Sequence, residues 1–106
     1  MSTAELFAAQ IFAALGDDTR LAVLARLGEG PASIVRLNAG HAISRQALTK
    51  HLRVLERAGL VHQARAGRES LWTLRRQRLD EARQFLERMS RQWDDRLDRL
   101  RAMVEG

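Results

Sequence analysis

The sequence predicts a mainly α-helical domain with one small β-hairpin, arranged as a winged helix-turn-helix. Apolar residues recur every three or four positions through most of the 106 residues, as they do on amphipathic helices. Two strand-length runs with branched or aromatic residues interrupt that period, and it then returns without a break to the end of the chain. We therefore expect a single domain over residues 1–106, with a helix-turn-helix at about 31–58, a wing at about 60–74 and a C-terminal dimerisation helix at about 78–104.

Composition limits the classes of protein to which the chain can belong. A hydrophobic fraction of 45% and a charged fraction of 29% are typical of a globular domain. No apolar run reaches the roughly 18 residues of a membrane-spanning helix, and the N-terminus lacks the pattern of a signal peptide, so we expect a cytoplasmic protein. Because there is no cysteine, disulfides, thiolate metal sites and thiol switches are excluded.

The net charge of +5 is unevenly distributed. Residues 31–78 contain ten of the basic residues and only two acidic ones, whereas the two ends of the chain are close to neutral. A basic central segment of this kind is typical of a module that binds a polyanion.

The first two helices are predicted from their capping residues. Ser2 and Glu5 form a capping-box pattern, and the helix that they open ends at Gly16. Asp17 or Asp18 then caps a second helix. A metal site or an acid pair is the alternative interpretation of the two aspartates, but adjacent carboxylates in a first turn are what the helix dipole favours.

The third and fourth helices predict a helix-turn-helix. Pro31 fits the first turn of a short helix that runs to about Ala39 and ends at Gly40. Ser44 is a good N-cap for the next helix, and Gly59 lies where a left-handed residue would end it. Two short helices joined by a tight turn, the second with a basic outer face, are typical of this motif.

The fourth helix carries the side chains that we expect to contact DNA. Its apolar residues share one stripe, and the other side is polar and basic. For base edges we predict Arg45, Gln46, Thr49 and Lys50. For phosphates we predict Ser44 and Arg53 on this helix, with Arg65 and Arg68 at the hairpin tip. The plainer interpretations, an ordinary amphipathic surface helix and a solvated hairpin, remain open from these residues alone.

The last helix is longer than a small domain needs. Its apolar residues recur close to a heptad repeat, and some 26 residues would extend about 39 Å. Part of this stripe must be buried against something else, for which a second copy of the same helix is the simplest partner. The stripe comprises Leu79, Ala82, Leu86, Met89, Trp93, Leu97, Leu100 and Val104.

The chain resembles the ArsR, or arsenic-repressor-like, family of winged-helix transcriptional regulators. Segments 14–21, 43–61 and 66–72 carry the resemblance, which extends over nearly the whole chain. It implies a homodimer built by the first and last helices, with each 44–58 helix in a major groove of a palindromic operator and half-sites roughly 34 Å apart. The dimerisation residues implied are Leu6, Phe7, Ile11, Leu86, Met89, Trp93, Leu97 and Leu100.

The sequence departs from the family where its members bind metals. Soft-metal sensors of the family use cysteines in the third helix, and here residues 32–37 offer no soft ligand. The last helix has carboxylates at Asp94, Asp95 and Asp98 but no histidine, which is a poor donor set for transition metals. The three histidines, His41, His51 and His62, are spread over a turn, a helix and a strand. We therefore expect no metal site and no cofactor.

Two functions from different classes follow. The first is a homodimeric, sequence-specific DNA-binding regulator that represses its own operon. It does not respond to metals, and it is controlled by an unknown small molecule or protein, or by no effector. The alternative is a winged-helix protein–protein adaptor whose basic face binds an acidic partner. An enzyme is not expected, because no glycine-rich phosphate loop or nucleophile arrangement is present. The balanced charges of the last helix argue against a membrane role.

Overall fold

The structure, a computed structural model, describes residues 2–40 and 43–105 and has the predicted architecture. Five helices and one antiparallel hairpin follow one another in the described chain. Their bounds are α1 Thr3–Leu15, α2 Asp18–Leu27, α3 Ile34–Asn38, α4 Arg45–Arg57, β1 Val61–Ala66, β2 Glu69–Leu74 and α5 Arg76–Glu105. The mainly α-helical winged helix-turn-helix fold is therefore confirmed.

Three helices begin at the predicted capping residues. The side chains of Ser2, Asp17 and Ser44 each accept a hydrogen bond from the backbone N–H three residues further on. The distances lie between 2.9 and 3.2 Å. Of the two candidate caps on α2, Asp17 has this role, and Asp18 is the first helical residue.

The third helix begins later than the sequence predicts. Its N-cap is Ser33, and the helix covers only Ile34–Asn38, so Pro31 lies before it and not in its first turn. The reason is a contact distant in sequence. The backbone N–H and carbonyl of Ala32 bond to the carbonyl and N–H of Trp72, at 3.1 and 2.9 Å. Ala32 is therefore held as an extended residue beside β2.

The hairpin follows helix α4 directly. Its register pairs Val61 with Leu74 at the base and Ala66 with Glu69 at the tip. Gly67 takes a φ of +65° in the two-residue turn, as a tight hairpin requires. The hairpin thus begins one residue later than the wing predicted at about 60–74 and ends where that wing ends.

The core lies beneath α4. The predicted stripe of Leu48, Leu52 and Leu55 is fully buried, and Trp72 of the hairpin packs into the same cluster. Burial of one such side chain contributes about 2 kcal/mol. This anchorage leaves the opposite face of α4 in solvent.

Helix α5 extends well beyond the rest of the chain. Its 30 residues correspond to about 45 Å, and α1 packs against the first part, where the Phe12 and Phe85 rings lie 6.1 Å apart. From Leu86 to Glu105 every described side chain is exposed. Six of its exposed apolar side chains recur every three or four residues and are here called the α5 stripe: Leu86, Met89, Trp93, Leu97, Leu100 and Val104.

None of the helices in the described ranges is both long and apolar enough to cross a membrane.

Candidate nucleic-acid interface

The outer face of α4 presents polar and basic side chains to solvent. Arg45, Gln46 and Lys50 are exposed in the first turns of the helix, opposite the buried leucines. Neither Arg45 nor Lys50 has a carboxylate within 4.0 Å among residues 2–40 and 43–105. The positive end of the helix dipole lies at the same end. These side chains are arranged as a groove-reading helix requires.

Two of the predicted contact residues also hold the start of α4. The Ser44 hydroxyl caps the helix by accepting the N–H of Ala47 at 3.1 Å. The Thr49 hydroxyl donates to the carbonyl of Arg45 at 2.8 Å, which leaves its lone pairs free to accept. Both side chains lie on the N-terminal half of α4 with the exposed polar residues.

Arg53 has a structural role that the sequence interpretation missed. Its Nη1 donates to Glu56 Oε1 at 2.9 Å and to Gln63 Oε1 at 3.2 Å. The guanidinium also lies 5.2 Å from the ring centroid of Trp72. Arg53 thus joins α4 to both strands of the wing, whereas the sequence interpretation predicted that it contacts a phosphate. Its spacing of three from Glu56 was the available signal.

The wing tip presents two free arginines. Arg65 and Arg68 are exposed, one facing Ser70 across the hairpin and the other in the turn itself. In the part of the chain that the structure describes, neither guanidinium has an ion-pair partner. Both predicted phosphate contacts are therefore available.

A polar cluster fixes the middle of α4 to the first two helices. Arg20 donates from Nε to the Ala14 carbonyl at 2.6 Å, and its Nη1 lies 3.3 Å from His51 Nδ1. The Asp17 carboxylate lies 3.6 Å from the same ring nitrogen. The backbone N–H of Arg20, which bonds to Asp17, is the main cause that lowers the pKa of that carboxyl below its ordinary value of 3.8.

The C-terminal end of α4 is held by α1 and α5. Gln10 Nε2 donates to the Arg57 carbonyl at 3.2 Å. The Arg78 side chain lies against Gly59, which has a φ of +77°. The sequence interpretation assigned no role to Gln10 or Arg78, because both contacts join residues that are distant along the chain.

The predicted dimerisation residues divide into two groups. Leu6 and the predicted residues of α5 are exposed by 40 to 56%, and Phe7 is 43% exposed beneath the Arg78 guanidinium. Ile11 is 1% exposed and packs in the core of its own subunit. Its assignment to the dimer interface was wrong, since it has almost no surface to offer a partner.

Among the described residues, His51, His62 and the α5 aspartates do not form a metal-binding group. Residues 2–40 and 43–105 contain no group of three or more side chains able to hold a metal ion. His51 belongs to the cluster with Arg20, and His62 is exposed on β1. His41 lies outside the described residues.

Comparison with known proteins gives consistent matches. The family described as "Helix-turn-helix domain" matches residues 15–64. An ArsR-like transcriptional regulator from Rhodococcus sp. RHA1 has 35% identity and a TM-score of 0.85, with 93% of each chain covered. A second structure, an ArsR family transcriptional regulator, has 28% identity and a TM-score of 0.80, covering 89% of this chain and 97% of the other. HlyU from Vibrio cholerae N16961 has 26% identity and a TM-score of 0.68, covering 88% and 98%.

A curated relative matches a shorter stretch. An HTH-type transcriptional regulator of Mycobacterium tuberculosis is 39% identical over 61 residues. The match covers 58% of this chain and 57% of that relative, so it spans little more than half the length of either protein.

Proposed function

The chain belongs to the ArsR family of transcriptional regulators, and from this membership we propose that it is a homodimeric, sequence-specific DNA-binding repressor that controls its own promoter. A family of regulators gives no reason to expect catalysis, and the chain is not an enzyme. The proposed site of action is the cytoplasm, where the promoter lies.

The observation that carries the proposal is the polar face of α4, fixed to the wing. Among residues 2–40 and 43–105, neither Arg45 and Lys50 on this face nor Arg65 and Arg68 on the wing has a carboxylate within 4.0 Å. Arg45, Gln46, Thr49 and Lys50 contact base edges, since their donors and acceptors match those of the major groove. Ser44, Arg65 and Arg68 contact phosphates. Arg53 contributes positive charge to the same surface while it holds the wing in place.

The α5 stripe provides the proposed dimer interface, together with Leu6 on α1, whereas Phe7 lies beneath the Arg78 guanidinium. A second copy of the chain would cover apolar side chains that the described chain leaves in solvent. A twofold dimer places its two α4 helices on half-sites of a palindrome, about one helical turn or roughly 34 Å apart.

The regulator is proposed to act without a metal. The α5 carboxylates with a possible ligand spacing are Asp94, Asp95 and Asp98, hard ligands that suit transition metals poorly in the absence of imidazole or thiolate. An organic molecule or a protein is the kind of effector that this surface leaves open.

The test is footprinting of the promoter upstream of the chain's own gene, repeated with EDTA and with added zinc. We expect a protected palindrome that neither reagent alters. A zinc-dependent footprint contradicts the metal-independent part of the proposal. Weak binding that does not distinguish the promoter from random duplex contradicts the repressor and favours the protein–protein adaptor.

A further inference from the structure

Helices α1 and α5 line a hollow close to the C-terminal end of α4. Its volume is about 300 Å³, which is within the range of small-molecule sites. The residues that define this α1–α5 hollow are Phe7 and Ala8 on α1 and Arg78, Glu81, Phe85 and Arg88 on α5.

The lining combines an apolar interior with positive charge at the rim. The small side chain of Ala8 and the Phe7 and Phe85 rings belong to the same lining. Arg78 lies 4.8 Å above the Phe7 ring and pairs with Glu81 at 2.7 Å. Arg88 lies 6.0 Å from the Phe85 ring and, in the described ranges, has no carboxylate within 4.0 Å. Arg88 at the rim is therefore available to bind an anion.

The hollow borders the α5 stripe on one side and extends away from it on the other. Successive helical residues turn by about 100°, so Phe85 lies only about 40° from Met89 of the stripe, whereas Glu81 and Arg88 point roughly 140° and 160° away from Leu86. A second copy of the chain seated on the stripe would therefore border the hollow beside Phe85 and leave open the side that carries Glu81 and Arg88.

Arg78 connects the hollow to the reading helix. Its guanidinium forms part of the lining, whereas its Cγ and Nε lie 2.9 Å from the position that a Cβ on Gly59 would take. Gly59 follows the C-cap of α4. A ligand anion that draws Arg78 away from Glu81 would therefore move a side chain that lies against the end of α4.

We propose that the α1–α5 hollow binds a small amphipathic carboxylate, with the apolar part between Phe7 and Phe85 and the carboxylate on Arg88 and Arg78. Binding alters the position of α4 through Arg78 and so changes the affinity for DNA. This inference supplies the organic effector left open by the proposed repressor function, and its second part rests on that function.

The binding test uses 1-naphthoate, a fluorescent aromatic carboxylate, and its uncharged analogue 1-naphthalenemethanol, titrated into the full chain without DNA. We expect saturable naphthoate binding at one molecule per chain and clearly weaker binding of the alcohol. Arg88→Gln should weaken naphthoate binding about tenfold, since a charge-assisted hydrogen bond is lost. Arg91→Gln is the matched control. Arg91 lies on α5 three residues after Arg88 and does not line the hollow, so this variant should bind naphthoate like the parent.

A further variant tests the competition for Arg78. Glu81→Gln removes the carboxylate that the ligand must displace, so naphthoate should bind several-fold more tightly. Equal binding by Arg88→Gln and Arg91→Gln overturns the site. Equal affinity for naphthoate and the alcohol also overturns it, because a nonspecific apolar surface would give that result.

The coupling test measures operator affinity with and without saturating naphthoate. We expect at least a threefold change in the parent and none in Arg88→Gln, as expected for a modest coupling free energy. Naphthoate binding with unchanged operator affinity overturns the connection through Arg78. If the chain bound no promoter at all, the proposed repressor function would be wrong. The titration without DNA would still test whether the hollow binds the carboxylate.

Discussion

Some polar side chains at α4 form hydrogen bonds within the chain, and others are exposed and available to contact DNA. Ser44 caps the helix, and Arg53 holds the wing. Gln46 and Lys50 are exposed and have no hydrogen bond from their side chains in the described chain. Substitutions of the open residues should therefore change recognition with little change in folding.

Gln46→Ala should reduce the preference for the operator over random duplex. A bidentate contact from glutamine to adenine is worth about 1–3 kcal/mol of discrimination. Fluorescence anisotropy on both duplexes measures the ratio of the two affinities. The assignment is wrong if that ratio stays at the parent's value.

Arg68→Ala should weaken binding to every duplex by a similar factor. The side chain is exposed at the wing tip, and the contact to phosphate proposed for it carries no sequence information. The slope of log affinity against log salt concentration should also fall by about one. A loss confined to the operator would instead assign Arg68 to base readout.

The Asp17 carboxylate should make the free energy of unfolding depend on pH in the acid range. Its folded-state pKa is lowered, chiefly by the hydrogen bond from the Arg20 backbone N–H. The stability that this carboxylate contributes is therefore present above about pH 4 and is lost as the pH falls through the lowered value. In Asp17→Asn, which keeps a capping oxygen, the free energy of unfolding should fall less steeply over that acid range.

Urea unfolding at a series of pH values measures this slope. The control is Asp18→Asn, because Asp18 has no side-chain hydrogen bond or ion pair in the described chain. If Asp17→Asn and the parent have the same pH dependence, the carboxylate does not stabilise the folded state as described.

Among the elements, the turn after α4 and the turn of the wing allow a matched comparison. Gly59 and Gly67 both have positive φ, at +77° and +65°. An alanine in this region costs about 1–2 kcal/mol through backbone strain alone. At Gly67 no atom lies within 4 Å of the added Cβ, whereas at Gly59 the Arg78 side chain lies 2.9 Å away.

Gly59→Ala should therefore lower the free energy of unfolding more than Gly67→Ala, by roughly a further 1 kcal/mol. Chemical denaturation of the two variants gives the difference. Equal losses would show that Arg78 moves aside freely and does not restrain the end of α4.

Element boundaries were predictable where a local signal sets them. Serine and aspartate caps gave the starts of α1, α2 and α4, because each satisfies backbone N–H groups within three residues. The start of α3 was not, since Ala32 is held by Trp72, forty positions later. The same limit applies to the site. The exposed residues of α4 followed from periodicity, but the Arg53 contact with the wing depends on tertiary packing.

At the scale of the whole molecule, the elongated shape is the one expected of a subunit of the proposed dimer. The described chain measures 68 × 27 × 24 Å, because the second half of α5 projects from the rest. An isolated helix with this exposed apolar stripe has little to stabilise it in water. Dimerisation through α5 would bury the stripe.

Leu97→Glu should dissociate the proposed dimer, because it places a charge in an apolar interface where burial without a partner is costly. Sedimentation at micromolar concentrations should show a monomer, with a corresponding loss of operator affinity. Gln92→Glu, on another side of α5, adds the same charge and should remain dimeric. Two variants of the same mass in solution would contradict dimerisation through this stripe.

The two backbone hydrogen bonds between Ala32 and Trp72 have a consequence for the DNA. They join the segment that leads into the helix-turn-helix to strand β2 of the wing, and so restrain the wing relative to α3. We expect the protein to adjust little when it binds an operator, so that the duplex bends to fit it. Sequences with pliable steps, such as TA or CA, between the bases under α4 and the phosphates under the wing should therefore bind more tightly than stiff A-tracts, although no side chain touches them.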